Sequence, residues 1–195
     1  MTYQFSNIKI LIVDDMIPMQ TLLRSVLGLF GFSNIEVADN GKEGFEKFCR
    51  FNPDLVLTDW MMEPLNGIEM VEKIRNDPLS PNRFTPVILM TGFTSRLRVE
   101  YARDMGITEF VVKPFTAKDL YSRIEHIIEK PRQFVDTKRF FGPDRRRHVR
   151  SDYKGSHKRA TDTKSDKRKI PERQKKHQSE LLNNITDNLN TKDKD

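Results

Sequence analysis

Apolar positions in the first 130 residues follow two alternating rhythms. Short runs bounded by charge occur at Ile8–Val13, Asp54–Thr58 (DLVLT), Pro86–Met90 (PVILM) and Phe110–Val112, with Ile35–Ala38 as a weaker companion. Runs of this kind predict strands buried on both faces, as in a parallel sheet. Between them the spacing becomes helical. Met19, Leu22, Leu23, Val26, Leu27 and Phe30 share one face, and the pattern stops at Gly31, a residue suited to a C-terminal turn. Leu120, Ile124, Ile127 and Ile128 repeat it behind Thr116, whose hydroxyl is placed to cap a helix N-terminus. Phe45, Phe48 and Cys49 give a third helix its inner face, and Ile68, Val71 and Ile74 do the same for the stretch starting at Gly67. Cys49 is thereby predicted to be a packed structural thiol.

Five strands alternating with five helices predict an α/β fold with a doubly wound, five-stranded parallel sheet. Right-handed crossovers place every strand's C-terminal end on one edge, where ligands bind at the point of strand-order reversal. The rhythm ends near Lys130. From Pro131 onward apolar residues are sparse and no period survives, so residues 131–195 are expected to form a mostly disordered tail behind a domain spanning 1–130. Leu181, Leu182, Ile185 and Leu189 are spaced for a short helix within it.

Charge sharpens this division. Residues 1–130 hold 15 Lys and Arg against 18 Asp and Glu, whereas residues 131–195 hold 19 against 10. An acidic domain thus carries a basic tail, and a basic tail attracts nucleic acid or anionic lipid. Within it, FFGPDRRRHVR is distinctive: Phe140 and Phe141 are suited to dock back on the domain, and Arg145, Arg146 and Arg147 to an anionic partner. A single cysteine excludes an internal disulfide. The N-terminus lacks the pattern of a signal peptide, and no apolar stretch approaches the roughly 20 residues of a membrane span. A soluble, cytoplasmic protein is the expectation.

The strand ends carry the chemistry. KILIVDD closes on Asp14 and Asp15, DLVLT on Asp59, PVILM on Thr91, and FVV on Lys113, followed by Pro114. Any one of these is ordinary as a cap, a turn or a solvated charge; their coincidence at the ends of separate strands is not. Two carboxylates about 4 Å apart repel by roughly 4 kcal/mol at an effective dielectric of about 20. Three of them call for cations. Lys113 supplies one, and an all-oxygen donor set suits Mg²⁺, which keeps several waters and takes phosphoryl oxygens.

Over residues 8–130 the acidic pair of ILIVDD, the TDW and MTG strand ends and FVVKPFT resemble the receiver domain of bacterial response regulators, the CheY-like fold. The resemblance implies that Asp59 accepts a phosphoryl group, and that Asp14, Asp15, Asp59 and the backbone carbonyl of Met61 hold Mg²⁺. It further implies that Thr91 and Lys113 contact the phosphoryl group, that Phe110 is the switch aromatic, and that a cis Lys113–Pro114 bond aims the lysine. The expected function is a two-component response regulator that takes phosphate from a histidine kinase or phosphotransfer protein and then engages a downstream protein partner. The alternative is a receiver-controlled nucleic-acid binder acting through the tail.

An enzyme is not expected, since phosphohydrolases with an aspartate nucleophile place a second Asp two residues on, where this chain has Met61. The loop DWMMEPLNG departs from the family in placing Pro64 one position late, while Gly67 keeps its offset. Met61 and Phe93, two residues beyond Asp59 and Thr91, are bulky and apolar, and are expected to shield an acyl phosphate from water.

Overall fold

The five apolar runs all become strands, and each is parallel to its neighbours. In the computed structural model, which describes residues 5–93, 95–137, 140–144, 175, 176 and 179, β1 is Lys9–Val13, β2 Asn34–Ala38, β3 Leu55–Asp59, β4 Val87–Thr91 and β5 Glu109–Val112. They pair in the order β2-β1-β3-β4-β5, one of the common orders of a doubly wound parallel sheet. Register is fixed by pairs such as Val13 opposite Ala38 and Thr58, and Thr91 opposite Val112.

The period-two alternation of the strands divides the core into two layers. Ile10, Ile12, Leu57, Ile88 and Met90 face α1 (Ile17–Leu29) and α5 (Ala117–Glu129). Leu11, Val13, Val56, Val87 and Leu89 face α2 (Gly41–Phe51), α3 (Gly67–Asn76) and α4 (Arg96–Asp104). Because side chains on both faces are buried, the strands read as continuous apolar runs rather than alternating ones.

Helix ends follow local chemistry. The chain leaves α1 through Gly31 at φ 94°, a conformation costly for any residue with a Cβ. Thr116 caps α5 as expected, in a reciprocal box with Asp119, and Asn66 does the same for α3 with Glu69. Cys49 is partly buried against the second layer and its Sγ faces the Leu79 carbonyl at 3.6 Å. Burial raises its pKa, which fits a structural thiol.

Residues 134–143 add an element that the sequence reading does not anticipate. Phe134–Thr137 (β6) and Phe140–Pro143 (β7) pair antiparallel as a small second sheet. Phe134 and Phe141 pack on Phe84, with ring centroids 5.3 to 5.5 Å apart. The expected docking of Phe141 onto the domain is therefore present, and described structure extends past Lys130 to Thr137 and again from Phe140 to Asp144. Arg145–Arg147 and the spacing Leu181, Leu182, Ile185 and Leu189 lie outside the described residues. Among the described residues no helix is long and apolar enough to cross a membrane.

Candidate functional site

Strand order reverses between β1 and β3, and the crevice at their C-terminal ends is where an open α/β sheet offers a ligand site. Asp14 follows β1, Asp59 ends β3, Thr91 ends β4 and Lys113 follows β5. The Lys113 ammonium bridges two of them, 2.9 Å from Asp59 Oδ1 and 3.2 Å from Asp14 Oδ2. Its backbone N–H donates to the Thr91 carbonyl at 2.8 Å, which ties the ends of β4 and β5 together. The Lys113–Pro114 bond is cis, as is Glu63–Pro64.

Asp14 is fully buried. Its Oδ1 accepts from the Met16 N–H at 2.9 Å and its Oδ2 takes the Lys113 ammonium. Burial raises its pKa above 3.8 and outweighs the Met16 hydrogen bond and the Lys113 charge, which pull the other way; repulsion from Asp59 adds only a minor part. Crowding of like charges, the effect stressed by the sequence, is thus secondary to desolvation. For Lys113 burial opposes the ammonium, yet the hydrogen bond and charge of Asp59, with help from Asp14, raise its pKa.

Asp15 and Met61 are exposed at the rim, Met61 by 62%. Thr91 is buried, and its hydroxyl accepts the Phe93 N–H at 3.0 Å. Phe110 is partly buried against the second core layer. Phe93 packs edge-to-face with Trp60 at 5.8 Å, and the Arg98 guanidinium lies over the Phe93 ring with Cζ 3.7 Å from its centroid. An aromatic wall therefore joins the β3–α3 and β4–α4 loops beside the carboxylates. Phe93 belongs to it, whereas Met61 faces solvent.

Two supporting features escaped the sequence reading. Buried Gln20, on α1, donates to the Asp14 carbonyl at 2.7 Å and to Asp39 Oδ1 at 2.8 Å, bracing the loops after β1 and β2. Nothing in the sequence around Gln20 signals this role. Gly67 also has a specific task, because a Cβ there would collide with the backbone oxygen of Asp59 and the Thr58 hydroxyl. Its N–H closes the loop by donating to the Trp60 carbonyl at 3.1 Å.

Among the described residues, no three His, Cys, Asp or Glu side chains stand in metal-holding geometry. The donor chemistry nevertheless fits a hard divalent cation. Asp14 is desolvated with charge left over after Lys113, Asp59 lies beside it, and Asp15 stands on the solvent side.

A doubly wound sheet with carboxylates, a hydroxyl and a lysine gathered at its reversal point defines a receiver module. The chain belongs to the response regulator receiver domain family, whose sequence description matches residues 10–125. This is a family of two-component and chemotaxis signalling. Chemotaxis protein CheY-3 of Vibrio cholerae serotype O1 is 34% identical over 124 residues, 64% of this chain and 94% of that protein. Chemotaxis protein CheY of Pseudomonas aeruginosa is 35% identical over 122 residues, 63% and 97% of the two chains. Among solved structures, Vibrio cholerae chemotaxis protein CheY4 superposes with a TM-score of 0.57 at 28% identity, over 62% of this chain and 98% of that one. The CheX-CheY-BeF3-Mg+2 complex of Borrelia burgdorferi gives 0.57 at 25%, over 63% and 90%.

Proposed function

We propose that this protein is a phosphorylated relay component in which Asp59 accepts a phosphoryl group from the phosphohistidine of a kinase or phosphotransfer protein. The observation that carries the reading is the Lys113 ammonium within 3.2 Å of both Asp59 and Asp14 at the sheet's reversal point. An Asp59 carboxylate oxygen attacks phosphorus; the new O–P bond forms as the N–P bond breaks, and the donor imidazole nitrogen leaves with the electron pair. Such transfer passes through a loose transition state, so positioning and charge neutralisation supply most of the catalysis. Lys113 meets the charge on the transferring oxygens. Buried Thr91 turns its hydroxyl to them, and Phe110 packs into the space released.

Asp14, Asp15, Asp59 and the Met61 carbonyl would hold Mg²⁺, which when bound neutralises phosphoryl oxygens and orients them. The Borrelia burgdorferi neighbour, a complex with BeF3 and Mg+2, supports this assignment. Leu97 and Tyr101, one helical turn apart on α4, and Val112 on β5 are all exposed and offer an apolar surface to a downstream protein partner. The Trp60–Phe93–Arg98 wall restricts water beside Asp59 and lengthens the life of the acyl phosphate.

The test is incubation with a small acyl-phosphate donor and Mg²⁺, read by intact mass. Wild type gains one phosphoryl group and Asp59→Asn gains none; Phe93→Asn loses the group several-fold faster. A wild-type protein that stays unmodified, or an Asp59→Asn variant modified equally, refutes the assignment.

A further inference from the structure

Proteins in this family are matched over residues 10–125, whereas the β6–β7 hairpin is a feature of this chain beyond that span. Its seat is built in detail. Arg75 is 1% exposed and sends four hydrogen bonds to backbone carbonyls, two to Gly106 and one each to Arg83 and Thr85. Its guanidinium then lies 5.0 Å over the Phe134 ring, and that of Arg83 lies 3.3 Å over Phe141. Arg132 closes the clasp, donating to the Thr108 carbonyl at 3.1 Å and to the Asp144 carbonyl at 2.5 Å. β7 also packs against α3 and α4.

These contacts have a common address. Gly106 and Thr108 form the corner between α4 and β5, so Arg75, stacked under the hairpin, and Arg132, at its entrance, hold the far end of the segment that runs from Thr91 through α4 and β5 to Lys113. The near end is held by two contacts that a phosphoryl group on Asp59 would displace. Lys113 bonds directly to the Asp59 carboxylate, and the Thr91 hydroxyl is engaged by the Phe93 N–H. On the reading of Asp59 as phosphoacceptor, on which this inference rests, both groups must turn to phosphoryl oxygens, and the segment between them must adjust. A corner clamped by two arginines and an aromatic cluster resists that adjustment.

We propose that the hairpin is an autoinhibitory latch, seated on the α3–β4 and α4–β5 corners, that favours the unmodified arrangement and loosens when Asp59 is phosphorylated. Because linkage is reciprocal, whatever loosens the hairpin must strengthen binding of a phosphoryl mimic at Asp59 by the same factor.

The experiment uses the full chain with Mg²⁺ and beryllofluoride as the phosphoryl mimic. Backbone amide exchange across residues 134–143 is compared with and without the mimic, and its affinity is measured for wild type, Phe141→Ala and Arg132→Ala. The latch requires exchange about fivefold faster or more in the mimic-bound protein, and affinity raised by a similar factor in both variants. Unchanged or slower exchange, or unchanged affinity in variants whose hairpin has loosened, overturns the latch while leaving the phosphoacceptor reading intact. If wild type binds the mimic no better than Asp59→Asn, the phosphoacceptor reading fails and the latch falls with it. The exchange comparison in wild type stands even if Phe141→Ala folds poorly.

Discussion

The backbone N–H of Phe93 donates to the hydroxyl of Thr91 across 3.0 Å, two residues along the same loop. Thr91 is 1% exposed and Phe93 is partly buried, so the acceptor sits inside the domain while the amide is partly sheltered from water. Thr91→Val keeps the side chain's shape but strands the amide, and is expected to cost about 1–2 kcal/mol in urea unfolding. Thr91→Ser, which keeps the acceptor, should recover most of that loss.

Asp14 stands in the opposite relation to stability. Its carboxylate is buried and desolvated beyond what Lys113 and the Met16 N–H repay, as its raised pKa records. Asp14→Asn is therefore expected to raise the unfolding free energy measured in urea, by about 1–2 kcal/mol, while reducing Mg²⁺-dependent phosphorylation. A loss of stability in this variant would contradict the desolvation account.

Arg75 is the largest fully buried side chain of the described core. Burial pushes its pKa down to about 9, which still leaves it charged at neutral pH. Arg75→Met removes donors from the carbonyls of Gly106, Arg83 and Thr85 and takes the cation from beneath Phe134, so a loss of about 3 kcal/mol or more is expected in urea unfolding. Arg75→Lys should restore only a fraction, since one ammonium cannot reproduce the planar fork.

The N-terminus of α2, at the end of β2, sets a pH response of its own. Glu43 accepts the Asp39 N–H at 2.8 Å and pairs with Lys47 at 2.7 Å, and these hold its carboxyl below the ordinary 4.5. The unfolded chain therefore binds the proton first as pH falls. Its contribution to stability is complete above pH 4.5 and disappears as pH drops through the lowered value. Thermal midpoints of Glu43→Gln should be lower than wild type near neutrality and should converge with it in acid.

Legibility followed the range over which each feature is determined. The strands declared themselves because burial on both faces leaves uninterrupted apolar runs, and Asp14, Asp59, Thr91 and Lys113 were visible because each follows such a run. Thr116 and Gly31 signalled helix ends through chemistry local to a few residues. Helix α4 was harder, since Arg96–Asp104 buries only Ala102 and presents almost no apolar stripe. The hairpin was hidden for a different reason. Its two strands have four residues each, and the partners that give Phe134 and Phe141 their burial, Phe84 and Arg75, lie some fifty residues upstream. Gln20 gave no signal of its own, because the loops it braces meet only in the fold.

Parallel strands give the molecule two poles, separated by about 16 Å of five-residue strand. Asp59 sits at one, and the clasp of Arg132 on Thr108 and Asp144 fixes where the polypeptide departs at the other. The acidic crevice and Asp144 thus stand at opposite ends of the domain, and a probe attached at Asp144 itself would lie a strand's length from the carboxylates.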